Sequence, residues 1–152
     1  MQTDLLLAAK IAEAAANAAR PEILSRFRNV TSQSKNDGSP VTEADIAAEK
    51  TIRSILTEAF PDIPIKGEEL GGDTTGSRYW IVDPIDGTLS FTRGIPLFGT
   101  LIALVAEGET QVGLIDLPAL DERLLATRGG GTTMNGSPVR VSQEKQLENA
   151  II

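Results

Sequence analysis

Apolar residues recur every four positions near the start of the chain, at Leu7, Ile11, Ala15, Ala19, Ile23 and Phe27, a spacing that predicts a first helix. Pro21 falls inside it and is expected to kink the helix or split it in two, because proline lacks a backbone donor and crowds the preceding turn. The stretch 32–40 is polar and rich in turn residues, so it reads as an exposed loop. Thr42-Glu43-Ala44-Asp45 then fits a capping box, with Thr42 as N-cap and Asp45 returning to its backbone. The helix it opens is expected to bury Ala48, Ile52, Ile55, Leu56 and Ala59 and to stop at Phe60-Pro61.

Beyond that point the period becomes extended. A short strand is predicted over 63–66, running into Gly67-Glu68-Glu69. A glycine-rich loop over 71–76 separates it from an apolar strand over 79–82 that ends at Asp83. Further strands are expected over 97–105, 111–115 and 123–127, divided by turn signals at Glu107-Gly108 and at 118–121. Asn135-Gly136 marks a tight turn before a last extended piece over 139–141. Gly129-Gly130-Gly131 lacks the Lys-Ser/Thr of a phosphate loop and reads as a turn or bulge. Two helices followed by hairpin-linked strands indicate an α+β class, with helices packed on a largely antiparallel sheet. With no internal repeat and no linker, residues 1–152 form one unit.

Composition narrows the chemistry. The chain has no cysteine and no histidine, so thiolate and imidazole sites are excluded and any metal must be a hard cation held by oxygen. Net charge is −7, from 21 acidic and 14 basic residues, which argues against a nucleic-acid partner. Residues 1–9 lack the basic start of a signal peptide, and Lys10, Glu13 and Arg20 interrupt the first apolar run, so no membrane association and a cytoplasmic location are expected.

The chemistry gathers in Trp80-Ile81-Val82-Asp83-Pro84-Ile85-Asp86-Gly87-Thr88. Here an apolar strand delivers Asp83 to its carboxyl end, and Pro84 is expected to take the chain out of the sheet. Asp83 and Asp86 lie three residues apart at a turn closed by Gly87 and Thr88. Carboxylates so placed repel unless a cation lies between them, while the following amides suit a phosphate. An ordinary turn, with each carboxylate capping backbone amides, accounts for the same residues, and a capping box alone accounts for Asp45. Glu68 and Glu69 also follow a strand end, and a neighbouring strand would bring them beside Asp83 to make a magnesium cluster.

Taken in order, Ser39-Pro40-Val41-Thr42-Glu43-Ala44-Asp45, Gly67-Glu68-Glu69 and Asp83-Pro84-Ile85-Asp86-Gly87-Thr88 resemble the inositol monophosphatase family. The resemblance implies the first half of an αβαβα sandwich and a magnesium-dependent phosphatase using two or three ions. It implies that Glu68, Asp83 and the Ile85 carbonyl hold one ion, and that Asp83 and Asp86 hold a second. Thr88 and Asp45, with Glu68 as a further catalytic group, would orient and deprotonate the attacking water. Gly87, Thr88 and Asp86 would contact the substrate, and Lys35 would sit near a lid over the metals. Residues 91–104 and 113–118 resemble the histidinol-phosphate phosphatase-like branch, although Leu89 stands where that branch often has Lys.

The resemblance also implies a longer chain, whose second half carries a Trp-Asp motif that completes the second metal site and the substrate pocket. This sequence lacks that motif, Trp80 being its only tryptophan, so it is expected to be either truncated or a natural short form without turnover. The expected partner is a small phosphate monoester, histidinol phosphate before inositol 1-phosphate, and a homodimer fits the family. Two other readings are a non-catalytic metal- or phosphate-binding half of an assembly and a related sugar or nucleotide phosphatase.

Overall fold

Alanine sets how closely the first helix packs. The computed structural model describes residues 2–29, 33–34 and 40–149, and α1 (Gln2–Leu24) buries Ala8, Ala12, Ala15, Ala16, Ala19 and Ile23 completely or nearly so. Their small side chains bring its backbone close to α2 (Glu43–Ala59) and to the sheet. Leu7, expected in the buried stripe, is 51% exposed. A strict four-residue spacing winds around a helix by about 40° per step, so a stripe centred on Ile23 leaves its earliest member in solvent. The helix is not split at Pro21, which stands in its last turn, where the missing donor removes a single ladder bond.

Only β1 (Gln33–Ser34) and β2 (Pro40–Val41), an antiparallel pair, are described within the stretch expected as loop over 32–40. Lys35 and residues 150–152 lie outside the described residues. The capping box at the start of α2 is present as expected. The Thr42 N–H donates to Asp45 Oδ2 at 2.8 Å, and the Ala44 N–H donates to Thr42 Oγ1 at 3.1 Å. Replacing an N-cap threonine by alanine costs about 1–2 kcal/mol. Thr42→Ala is therefore expected to lower the melting temperature by roughly 2–8 °C, read by thermal circular dichroism.

The sheet has seven strands in the order β3-β4-β5-β6-β7-β8-β9. They are β3 (Ile65–Gly67), β4 (Arg78–Asp86), β5 (Gly99–Ala106), β6 (Glu109–Leu117), β7 (Glu122–Thr127), β8 (Gly131–Met134) and β9 (Ser137–Val139). Pairing is antiparallel throughout except for β3, which runs parallel to β4. The expected turns at Glu107-Gly108 and Asn135-Gly136 both close hairpins with two positive φ angles, as such tight turns require. Gly129 and Gly130 lie in the turn that joins β7 to β8, and Gly131 opens β8.

One expectation fails at the site itself. Pro84 does not end its strand, because β4 continues to Asp86 through a register shift between Asp83 and Asp86. An irregular ladder does not need the proline's absent N–H, and Thr100 Oγ1 donates to the Pro84 carbonyl at 2.8 Å. A one-turn helix, α3 (Thr88–Thr92), follows. Phe91, on α3, packs with Phe27 and Phe98 at ring-centroid distances of 5.0–5.6 Å, which pins α3 to the end of α1.

Helices cover one face of the sheet, where Trp80, Val82, Ile102, Leu104, Val112 and Leu114 are buried. On the other face Ile81, Leu101, Ile115 and Leu124 line an apolar concavity of about 620 Å³, with Asp83 at its margin. Among the described residues no helix is long and apolar enough to cross a membrane.

Candidate active site

Because β3 and β4 run parallel, their carboxyl ends lie at one edge of the sheet, where ligand-binding loops of parallel strands collect. Gly67 is in register with Val82, and the Glu68 N–H donates to the Val82 carbonyl at 3.0 Å. That bond seats Glu68 beside Asp83, close enough for its carboxyl group to act on that of Asp83. Asp83 Oδ1 is buried without a hydrogen-bond partner. Burial, the Glu68 hydrogen bond and the charges of Glu68 and Asp86 push the Asp83 carboxyl up to about 8. Asp86 is exposed and acts on Asp83 through its charge.

The capped end of α2 supplies the other half of the site. Asp45 is 1% exposed and spends Oδ2 on Thr42, leaving Oδ1 for Thr88 Oγ1 at 3.3 Å. Thr88 Oγ1 also lies 3.0 Å from the Ile85 carbonyl oxygen. One hydroxyl proton serves one of these acceptors at a time. Burial raises the Asp45 carboxyl above the usual carboxylate range, against the opposing hydrogen bonds from Thr42 and Thr88. Asp45 thus caps α2 through one oxygen and meets Thr88 through the other.

Gly87 takes a left-handed φ of 87°, and a Cβ there would meet the Leu97 carbonyl oxygen at 3.0 Å. This conformation turns the chain from β4 into α3 and sets Thr88 opposite Asp45. The structure therefore brings together Glu68, Asp83, Ile85 and Asp86 from the strand ends with Thr88 and Asp45.

Whether these residues suit a divalent cation follows from the donors. All are oxygen, one is an unpartnered buried carboxylate oxygen, and the Glu68–Asp83 repulsion is of the kind a cation relieves. Among the described residues no three acidic side chains converge as a ready-made cage. Oxygen donors of this kind suit a hard divalent cation.

A residue that sequence reasoning missed is Glu49, 0% exposed on α2 one turn after Asp45. The available signal was a charged residue on the buried stripe with Arg53 four positions later.

The sequence profile described as the inositol monophosphatase family matches residues 4–152. A histidinol-phosphatase from Chlorobaculum parvum is 48% identical over 143 residues, covering 93% of this chain and 54% of that protein. A fructose-1,6-bisphosphatase/inositol-1-monophosphatase from Thermotoga maritima is 42% identical over 111 residues, covering 73% of this chain and 43% of that protein. Among solved structures, the extragenic suppressor protein suhB from Bartonella henselae superposes with a TM-score of 0.85 at 33% identity, covering 91% of this chain and 55% of that one. The chain spans about half the length of the curated relatives it matches. With this match across nearly its whole length and the strand-end carboxylates in place, the chain belongs to the inositol monophosphatase family.

Proposed function

We propose that this chain provides the metal-binding half of a magnesium-dependent phosphatase that hydrolyses a small phosphate monoester, with histidinol phosphate as the first candidate substrate. The observation that carries this reading is one juxtaposition: the Glu68–Asp83 pair and the Ile85 carbonyl at the strand ends, with Thr88 Oγ1 3.3 Å from Asp45 Oδ1 beside them. Glu68, Asp83 and the Ile85 carbonyl would hold one magnesium ion, and Asp83 with Asp86 would hold another. When bound, magnesium would lower the pKa of a coordinated water and neutralise charge on the phosphoryl oxygens.

The remaining roles fall to the chain's own groups. Thr88 orients the attacking water, with Glu68 as a further catalytic group. The water's proton passes through the Thr88 hydroxyl to Asp45 Oδ1 as the water oxygen bonds to phosphorus. The ester P–O bond breaks, the leaving oxygen takes a proton from a solvent water, and the alcohol and inorganic phosphate are released as Asp45 returns its proton to solvent. Backbone amides of Gly87 and Thr88, with Asp86 nearby, orient the ester. Burial of Asp45 raises its proton affinity, which suits an acceptor in such a relay. The preference for histidinol phosphate rests on the likeness of residues 91–104 and 113–118 to that branch and on the 48% identity to a relative named for it. A cytoplasmic location fits these small polar substrates.

The test is phosphate release from histidinol phosphate and inositol 1-phosphate by this chain, with magnesium and with chelator. Magnesium-dependent release, faster from histidinol phosphate, is the expected result; equal release in chelator would overturn the metal mechanism.

The open apolar face favours a second reading in which residues 1–152 act only when assembled with a complementary second half. Ile81 and Ile115 are 41% and 42% exposed on that face, and contiguous apolar surface of this kind marks an interaction site. No release from the chain alone, followed by release once the second half of a relative is added, would select it.

A further inference from the structure

Glu49 is fully buried, yet none of the proposed chemistry uses it. Its carboxylate accepts the Glu69 N–H at 2.7 Å and the Leu70 N–H at 3.2 Å, from a turn twenty residues further along the chain. Arg53, one helical turn later, donates to Glu49 Oε1 at 2.7 Å. Arg53 also donates to the Ile65 carbonyl at 3.2 Å and to the Gly71 carbonyl. The two side chains thus grip both kinds of backbone group in the segment that bears Glu68. The same turn is closed by the Gly67 N–H donating to the Gly71 carbonyl at 2.8 Å.

Gly67 shows how tight this grip is. A Cβ at that position would lie 1.8 Å from Glu49 Oε1, although the backbone there has no positive φ. Any side chain at this point would have to displace the buried Glu49 carboxylate, which occupies its place. Asp45 and Glu49, four residues apart on α2, face the same side of the helix. One holds Thr88 and the other holds the Glu68 turn, so a single rigid helix sets the spacing between the two halves of the site.

We propose that Glu49 is a positioning residue of the metal site, holding the Gly67–Leu70 turn so that Glu68 is presented to Asp83. The proposal rests on the metal-binding reading above and adds to it a residue that touches neither metal nor substrate. Partners that orient a metal ligand in this way typically account for about 10–100-fold in metal affinity.

The experiment is calorimetric titration of the 152-residue chain with magnesium, paired with hydrogen exchange at the Glu69 and Leu70 amides. Glu49→Gln is expected to weaken magnesium about 10–100-fold and to speed exchange at both amides. Ile52→Ala, which removes buried side-chain volume from the same helix, is the comparison for general destabilisation. It is expected to lower the melting temperature while leaving magnesium affinity within about twofold, as for sites without shared partners. Gly67→Ala attacks the same contact from the turn side and must also weaken magnesium, which keeps the proposal testable if Glu49→Gln does not fold. Unchanged magnesium affinity in Glu49→Gln, or in Gly67→Ala where Glu49→Gln does not fold, would overturn the positioning role. Absence of magnesium binding by the unmodified chain would overturn the metal reading itself, and the positioning role with it.

Discussion

Asp83→Asn is expected to raise the melting temperature of the metal-free protein at pH 8 while removing its response to magnesium. The folded chain holds Asp83 against Glu68 with Asp86 nearby, and its carboxyl is pushed up to about 8, first by burial and then by those two neighbours. In the unfolded chain the same group titrates near the ordinary value of about 4. The folded state therefore binds this proton more tightly. Its contribution to stability is fully present below pH 4 and is lost as pH rises towards 8. Asparagine keeps the shape and carries no charge, so the variant should lose this slope. Magnesium should stabilise the unmodified protein most where Asp83 is ionised, because a ligand that binds only the folded state adds to its stability. The variant lacks the one carboxylate proposed to touch both ions, so its magnesium-dependent phosphate release should fall on the order of 10³-fold or more. Thermal melts at pH 5, 6.5 and 8, in chelator and in magnesium, check the first half, and phosphate release checks the second. A variant that keeps the magnesium shift of the unmodified protein would remove Asp83 from the site. Stability given up by the metal-free chain for a charged cluster is a common feature of functional sites.

The parts of this site that were legible in the sequence are those written within a few residues of one another. Thr42 and Asp45 form one turn of helix, so their mutual hydrogen bonds follow from spacing alone. Asp83 and Asp86 sit at the end of an apolar strand, and the parallel register of β3 brings Glu68 to the same edge. Misreadings arose where a local rule met a tertiary contact. The rule that proline leaves a ladder fails at Pro84, where a register shift and the Thr100 hydroxyl keep it in the strand. Leu7 has the right spacing for a buried stripe, but the face of α1 is chosen by alanines that admit α2. Nothing near Glu49 in the chain announces that amides twenty residues later close over it. A charged residue on an apolar stripe is visible from sequence, whereas its partner is a property of the fold.

Asp116 shows the same dependence on distant partners at larger scale. Its carboxylate is 0% exposed on β6 and is held by Arg20 of α1, whose Nε and Nη2 each lie 2.9 Å from it. Arg123 on β7 donates to it at 2.8 Å and also reaches Asn17 Oδ1 of α1 at 2.7 Å. Two guanidinium groups thus converge on one buried carboxylate and tie the end of α1 to the middle of the sheet. Asp121, which also meets Arg20 at 2.7 Å, is largely exposed and adds little. Removing the centre of such a cluster strands two cations, which costs about 3–5 kcal/mol when a buried ion pair loses one partner. Asp116→Ala is therefore expected to lower the melting temperature by roughly 6–20 °C. Asp116→Asn, which keeps an acceptor oxygen in place, should fall between the two. Replacing Arg20, Asp116 and Arg123 together with leucine separates charge imbalance from lost contact, because an apolar replacement of a whole buried cluster is often neutral or stabilising. Recovery in the triple variant, read by thermal or urea unfolding, would show that the carboxylate serves to balance the two arginines. A triple variant as unstable as Asp116→Ala would instead place the contribution in the geometry of the hydrogen bonds themselves.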